Sequence, residues 1–190
     1  MILEIIKYGH PVLRERGTRV KEITPEIKQL IADMFETMYD SKGVGLAAQQ
    51  VGAALQLTVI DVRGVTDRPS TLDVSGQPAE VDGHMPLVLI NPKIIPLGER
   101  VAGPEGCLSF PEIFADIIRP EQVDVKALNA RGEPISFRAS GLLARAVQHE
   151  VDHLNGVLFI DRMNAKDKEE LRAEIDDLHT ATKKSLVKKK

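Results

Sequence analysis

Apolar residues at Ile27, Leu30, Ile31, Met34, Phe35 and Met38 fall on one side of a helical projection, the signature of an amphipathic helix. Thr24 supplies an N-cap and Pro25 suits the first helical position; Ser41-Lys42-Gly43 ends the helix. The Gly-rich run Gly43–Gly52 follows. Leu55–Val62 alternates in part and is rich in Val, Ile and Thr, which predicts a strand. Gly64–Met85 is polar and rich in Gly, Pro, Ser and Asp, which predicts a long surface loop. Leu87–Ile95 is apolar but interrupted by Pro92, so it reads as an edge strand or two short strands. Ala115–Ile118, Val123–Leu128 and Ile135–Ala139 are shorter strands, the last two joined by the turn Asn129–Gly132. Ser140 caps a second helix that reaches Leu154, where Asn155-Gly156 stops it. Its apolar positions, Leu142, Leu143, Ala146, Val147, Val151 and Leu154, cover more than half the circumference, so this helix is buried. A third helix starts near Asn164 and carries Leu171, Ile175 and Leu178 on one stripe. Strands grouped ahead of a buried helix predict an α+β fold: short, mostly antiparallel strands around that helix, with an N-terminal and a C-terminal helix beside them.

Composition narrows the class. The 190 residues suit one domain, and 43% hydrophobic with 28% charged residues excludes general disorder. Aromatics are 4% and Trp is absent, so aliphatic side chains must build the core. A single cysteine excludes an internal disulfide. No apolar run approaches a membrane span, and the start lacks the pattern of a signal peptide. The expected location is the cytoplasm. Net charge is −3, yet the last eight residues, Lys183–Lys190, hold five Lys and no acid, which leaves −8 on the rest. An acidic body with a basic tail excludes a sequence-specific nucleic-acid binder. The tail reads as a frayed, solvated end able to touch phosphate weakly.

The buried helix carries the chemistry. His149-Glu150-Val151-Asp152-His153 places two imidazoles one turn apart on one face, in reach of one metal ion. Glu150 stands beside them as an acid–base group. Two His and a Glu inside a buried helix would be costly without partners. A catalytic metal needs a third protein ligand and an open position. The extended H-E-x-x-H-x-x-G-x-x-H pattern fails, because Phe159 stands at its last position. A downstream carboxylate, Glu170 or Glu174, would make the chain an H-E-x-x-H metallopeptidase. Cys107, beside Gly106 and a short apolar strand, is the third source. A lone cysteine is ordinarily a small core residue, but beside an H-E-x-x-H that lacks its last ligand the balance turns toward Cys107.

Three motifs, Gly43-Val44-Gly45-Leu46-Ala47-Ala48-Gln49-Gln50, Glu105-Gly106-Cys107-Leu108-Ser109 and Gln148-His149-Glu150-Val151-Asp152-His153-Leu154, occur in this order. With them the chain resembles a peptide deformylase from about Ile5 to Met163, in the bacterial form with a C-terminal helix. The loop at 64–85 is longer than many members carry. The resemblance implies a catalytic domain over residues 1–163, with residues 164–190 forming a C-terminal helix and disordered basic tail of the same domain. It implies metal ligands Cys107, His149 and His153, with ferrous iron as the native ion and zinc, nickel or cobalt able to replace it. It further implies Glu150 as general base, Gln50 and the backbone N–H of Leu108 as oxyanion donors, and Gly45 at the substrate chain. The implied substrate is an N-formylmethionyl nascent peptide, with formate as product and ribosome contact through the basic tail. Val44, Leu46, Ile90 and Val147 are candidates to line the methionine pocket.

Overall fold

A computed structural model describes residues 1–188. Helix α1, Pro25–Asp40, begins where the sequence predicts, with Thr24 Oγ1 accepting the Ile27 N–H at 3.3 Å. Ile31, Met34 and Met38 are its buried face. Seven strands follow: β1 (Gly45–Ala47), β2 (Leu57–Ile60), β3 (Ser70–Val74), β4 (Gln77–Ala79), β5 (Leu87–Cys107), β6 (Phe110–Leu128) and β7 (Pro134–Gly141). They form one sheet in the order β1-β2-β5-β6-β7-β3-β4, and every neighbouring pair is antiparallel. Helix α2, Leu142–Leu154, is buried along its whole length except at Asp152. Its apolar side packs with the sheet residues Leu87, Leu89, Val123 and Val125. The fold is α+β, as the order of elements predicts.

Several boundaries differ from the sequence reading. The strand expected at Leu87–Ile95 continues to Cys107, because bulges absorb its breakers. Asn91 takes φ 51°, and the register with β6 shifts between Ile90 and Lys93 and again between Leu97 and Arg100. Beyond Ile90, β5 pairs with β6 alone among the described strands, so this part is an edge that tolerates Pro96 and Pro104. In the same way Ala115–Ile118 and Val123–Leu128 fuse through Pro120 into β6.

The segment expected as a long loop contains the β3–β4 hairpin. Ser75 (φ 52°) and Gly76 (φ 76°) turn it, the left-handed pair that suits the twist of flanking strands. Leu72 is buried within it, and β3 pairs with β7. Ser140 belongs to β7 and pairs with Thr71 through its hydroxyl, so it does not cap α2. The cap position is Gly141, at φ 68° and ψ −140°, where a Cβ would sit 2.1 Å from the Pro69 carbonyl oxygen. That carbonyl accepts the Leu142 N–H at 3.1 Å, and Ser70 Oγ accepts the Leu143 N–H at 2.9 Å.

The expected third helix is two: α3 (Ala165–Glu170) and α4 (Arg172–Lys188). Asn164 caps α3 through the Asp167 N–H at 2.8 Å. Leu171, Ile175 and Leu178 cross the joint and pack with Tyr8, Phe110 and Phe159. Because α4 runs to Lys188, Lys183, Lys184 and Lys188 of the expected frayed tail are helical; Lys189 and Lys190 lie outside the described residues.

Candidate metal centre

The last residue of β5 meets the middle of α2. Cys107, His149 and His153 each offer a ligand atom, and these atoms lie within 4.8 Å of one another. Cys107 Sγ is 3.3 Å from His153 Nε2. Bonds of about 2.3 Å to sulfur and about 2.0 Å to nitrogen place donors on one tetrahedral ion roughly 3.5 Å apart, so this spacing suits a shared ion. Glu170 and Glu174, the downstream carboxylates, are exposed on α3 and α4 and stand outside this group. The metallopeptidase ligand set is therefore not assembled.

Glu105, two residues before Cys107, organises the site. Its Oε1 accepts His149 Nδ1 at 2.8 Å. A carboxylate accepts, so the ring proton sits on Nδ1 and Nε2 keeps its lone pair for a metal. Arg119 holds the same carboxylate through two nitrogens, at 2.6 and 2.9 Å, and Arg145 holds it at 2.9 Å. Burial opposes the charge on Glu105, but the hydrogen bonds from His149 and Arg119 outweigh it and hold its pKa far below the carboxylate range. Arg119 also reaches Asp152 at 2.9 Å, and Arg162 closes the chain onto Asp152. Arg145 donates to the Ile117 carbonyl at 2.7 Å and the Val101 carbonyl at 3.0 Å. It thus ties α2 to both long strands, and so to the strand that ends at Cys107. Neither arginine nor the role of Glu105 is legible in the sequence. The only signal is the cost of burying charged residues in an apolar helix and strand, which demands partners without naming them.

Glu150 is buried, and its Oε2 has no hydrogen-bond partner among the described residues. Burial pushes its pKa up to about 7, near the pH at which a general base works best. His153 is pushed below the usual imidazole value, first by burial, and a neutral ring is the form that binds a metal. A Cβ on Gly45 would stand 2.4 Å from Glu150 Oε1, so the glycine makes room for this carboxylate. Gln50 is fixed at both ends: its Oε1 accepts the Ala47 N–H at 2.9 Å, and its Nε2 faces Ser109 Oγ at 3.2 Å and Cys107 Sγ at 3.5 Å. Lys7 Nζ donates to the Leu108 carbonyl at 2.9 Å, which holds the peptide unit between Leu108 and Ser109. One thiol, two imidazoles and an orphaned carboxylate oxygen fit a divalent ion with one open position.

A cavity of about 600 Å³ opens onto these groups. Gly45, Gln50, Cys107, Leu108, His149 and Glu150 all line it, so six of the seven expected site residues share one space. His153, the seventh, joins them through the ligand cluster. Of the residues expected in the methionine pocket, Val44 lines the cavity, whereas Leu46, Ile90 and Val147 belong to the core. Leu142 and Ala146 of α2 take their place on its wall.

Comparison with known proteins agrees with this geometry. The polypeptide deformylase family matches residues 2–169. The peptide deformylase of Methylacidiphilum infernorum is 46% identical over 178 residues, covering 94% of this chain and 93% of that protein. A crystal structure of a peptide deformylase from Legionella pneumophila superposes with a TM-score of 0.79 at 36% identity, covering 93% of this chain and 95% of that one. One from Synechococcus elongatus, in complex with actinonin, gives 0.75 at 40% identity, over 95% and 85% of the two chains.

Proposed function

The chain belongs to the peptide deformylase family, and on that premise we propose how its own residues carry out the reaction. The enzyme is a hydrolase that removes the formyl group from the N-formylmethionine of newly made polypeptides and releases formate. Cys107, His149 and His153 would hold one divalent ion, which when bound polarises a carbonyl and acidifies water. We assign ferrous iron as the native ion on the family likeness, with zinc, nickel and cobalt as replacements the same donors accept.

Glu150 takes a proton from the attacking water as its oxygen bonds to the formyl carbon. The same carboxyl returns that proton to the methionine nitrogen as the C–N bond breaks. Formate and a free amino terminus leave. Negative charge develops on the formyl oxygen, where the Gln50 amide and the Leu108 N–H would serve as donors. The bond from Ala47 to Gln50 Oε1 turns the amide so that its NH₂ end faces Cys107 Sγ and Ser109 Oγ, and a donor already oriented costs nothing to reorganise. Gly45 admits the substrate backbone close to Glu150.

The convergence of a cysteine with two histidines 42 and 46 residues further along the chain carries this reading. Glu150→Gln tests it. The variant is expected to keep its metal while formate release from a formyl-Met peptide falls by at least about 10²-fold; a fully active variant would remove the assigned role.

The working site extends to the ribosome, where formylated chains emerge in the cytoplasm. No helix among the described residues is long and apolar enough to cross a membrane. Lys183, Lys184 and Lys188 place positive charge at the end of α4. A chain ending at Thr182 keeps the contact of His179 with Tyr8 but loses those lysines. It is expected to lose ribosome binding at low salt, and unchanged binding would contradict this part of the proposal.

A further inference from the structure

The segment between β2 and β3 brings one charged side chain into the cavity that the mechanism leaves unused. Arg68 lines the cavity, is half-buried, and makes no hydrogen bond or ion pair with any described residue. The other cations that line it differ. Lys7 is bonded to the Leu108 carbonyl, and Arg145 is bound to Glu105 and two strand carbonyls. Lys42 is exposed.

Arg68 is held in place from both sides. Upstream, Tyr39 of α1 donates its hydroxyl to Asp61 Oδ2 at 2.6 Å. Downstream, Pro69 and Ser70 bond the first two N–H groups of α2. Arg68 therefore stands beside Leu142, seven residues before His149, or roughly 10 Å along the helix axis at about 1.5 Å per residue. An extended peptide advances about 3.3 Å per residue. A formyl-Met chain that ran from Cys107 and His149 toward the N-terminal end of α2 would bring its second to fourth residues within range of this guanidinium. Of the charged residues that line the cavity, Lys42 and Glu112 are exposed and Arg68 and Lys7 are half-buried.

Building on the deformylase reading, we propose that Arg68 is a specificity-determining residue that selects formyl-Met peptides with Asp or Glu just after the methionine. Its five N–H donors have no acceptor among the described residues, and a carboxylate satisfies two of them in a forked pair. The pair is part-exposed, so its effect is modest and weakens with salt.

The test uses the metal-loaded enzyme and C-terminally amidated formyl-Met tripeptides with Glu, Gln or Lys at the second or third position. At low salt, kcat/KM for Glu over Lys is expected to be about fivefold at one of these positions. Arg68→Gln should bring that ratio near one, Arg68→Glu should invert it, and Arg68→Lys should keep its direction. A ratio that survives Arg68→Gln and Arg68→Glu overturns the proposal. So does an equal loss on every peptide, which would make Arg68 a structural residue. Failure of the deformylase reading looks different: no formate is released from any peptide by the unmodified enzyme.

Discussion

Replacing Glu105 would take a shared partner from His149, Arg119 and Arg145 at once, since all three donate to one carboxylate. Glu105→Gln is therefore expected to weaken metal retention by about 10- to 100-fold, measured by competition with a chelator; unchanged retention would mean that His149 needs no such orienting partner. Gly45→Ala is expected to act on the rate instead. Its Cβ collides with Glu150 Oε1, and a base displaced by about 1 Å costs about 10²-fold in turnover. Formate release should fall while bound metal stays stoichiometric. The candidate ligands and base are legible in the sequence because His149, Glu150 and His153 form an H-E-x-x-H in a buried helix that lacks a third ligand, which Cys107 can supply. The role of Glu105 is not, because its partners lie 14, 40 and 44 residues away, and only the fold brings them together.

At the scale of elements, local signals succeed where the cause is local. Thr24 and Asn164 cap their helices through N–H groups three residues on, and both starts are read correctly. Helix α2 fails that test because Ser70, 73 residues before Leu143, bonds its first turn. Ser70→Ala is expected to cost about 1 kcal/mol of stability, read from urea unfolding, and a neutral result would show that Pro69 alone suffices. A second tie joins the N-terminal turn to the turn after α2: Arg14 Nη1 meets Asp161 Oδ2 at 2.5 Å. Burial opposes the Asp161 charge, but bonds from Arg14 and the Leu158 N–H overcome it and lower its pKa. A lowered folded pKa adds stability above the unfolded value of about 3.9 and loses it as pH falls through the folded one. The melting temperature of the unmodified chain should thus exceed that of Asp161→Asn near neutrality, and the gap should close on acidification below about pH 4. A gap independent of pH would contradict the assignment.

For the whole molecule, the sheet and the buried helix are only partly joined by covalent neighbours, and the proposed ion adds a bond between them. The α+β class was legible from the order of apolar segments, and the α2 core from its six apolar positions, all buried. The length of β5 and β6 was not, because Pro92, Pro96 and Pro120 read locally as breaks, while bulges and a free edge let the strands run on. That continuity matters for function, since it carries β5 out to Cys107. We propose that Cys107 closes the same ion as His149 and His153. Anaerobic purification of the unmodified chain and of Cys107→Ala, with metal content and formate release measured on each sample, tests it most directly. One divalent ion per chain and active release are expected for the first, and loss of both together for the second; a Cys107→Ala protein that keeps its ion and its rate would contradict it.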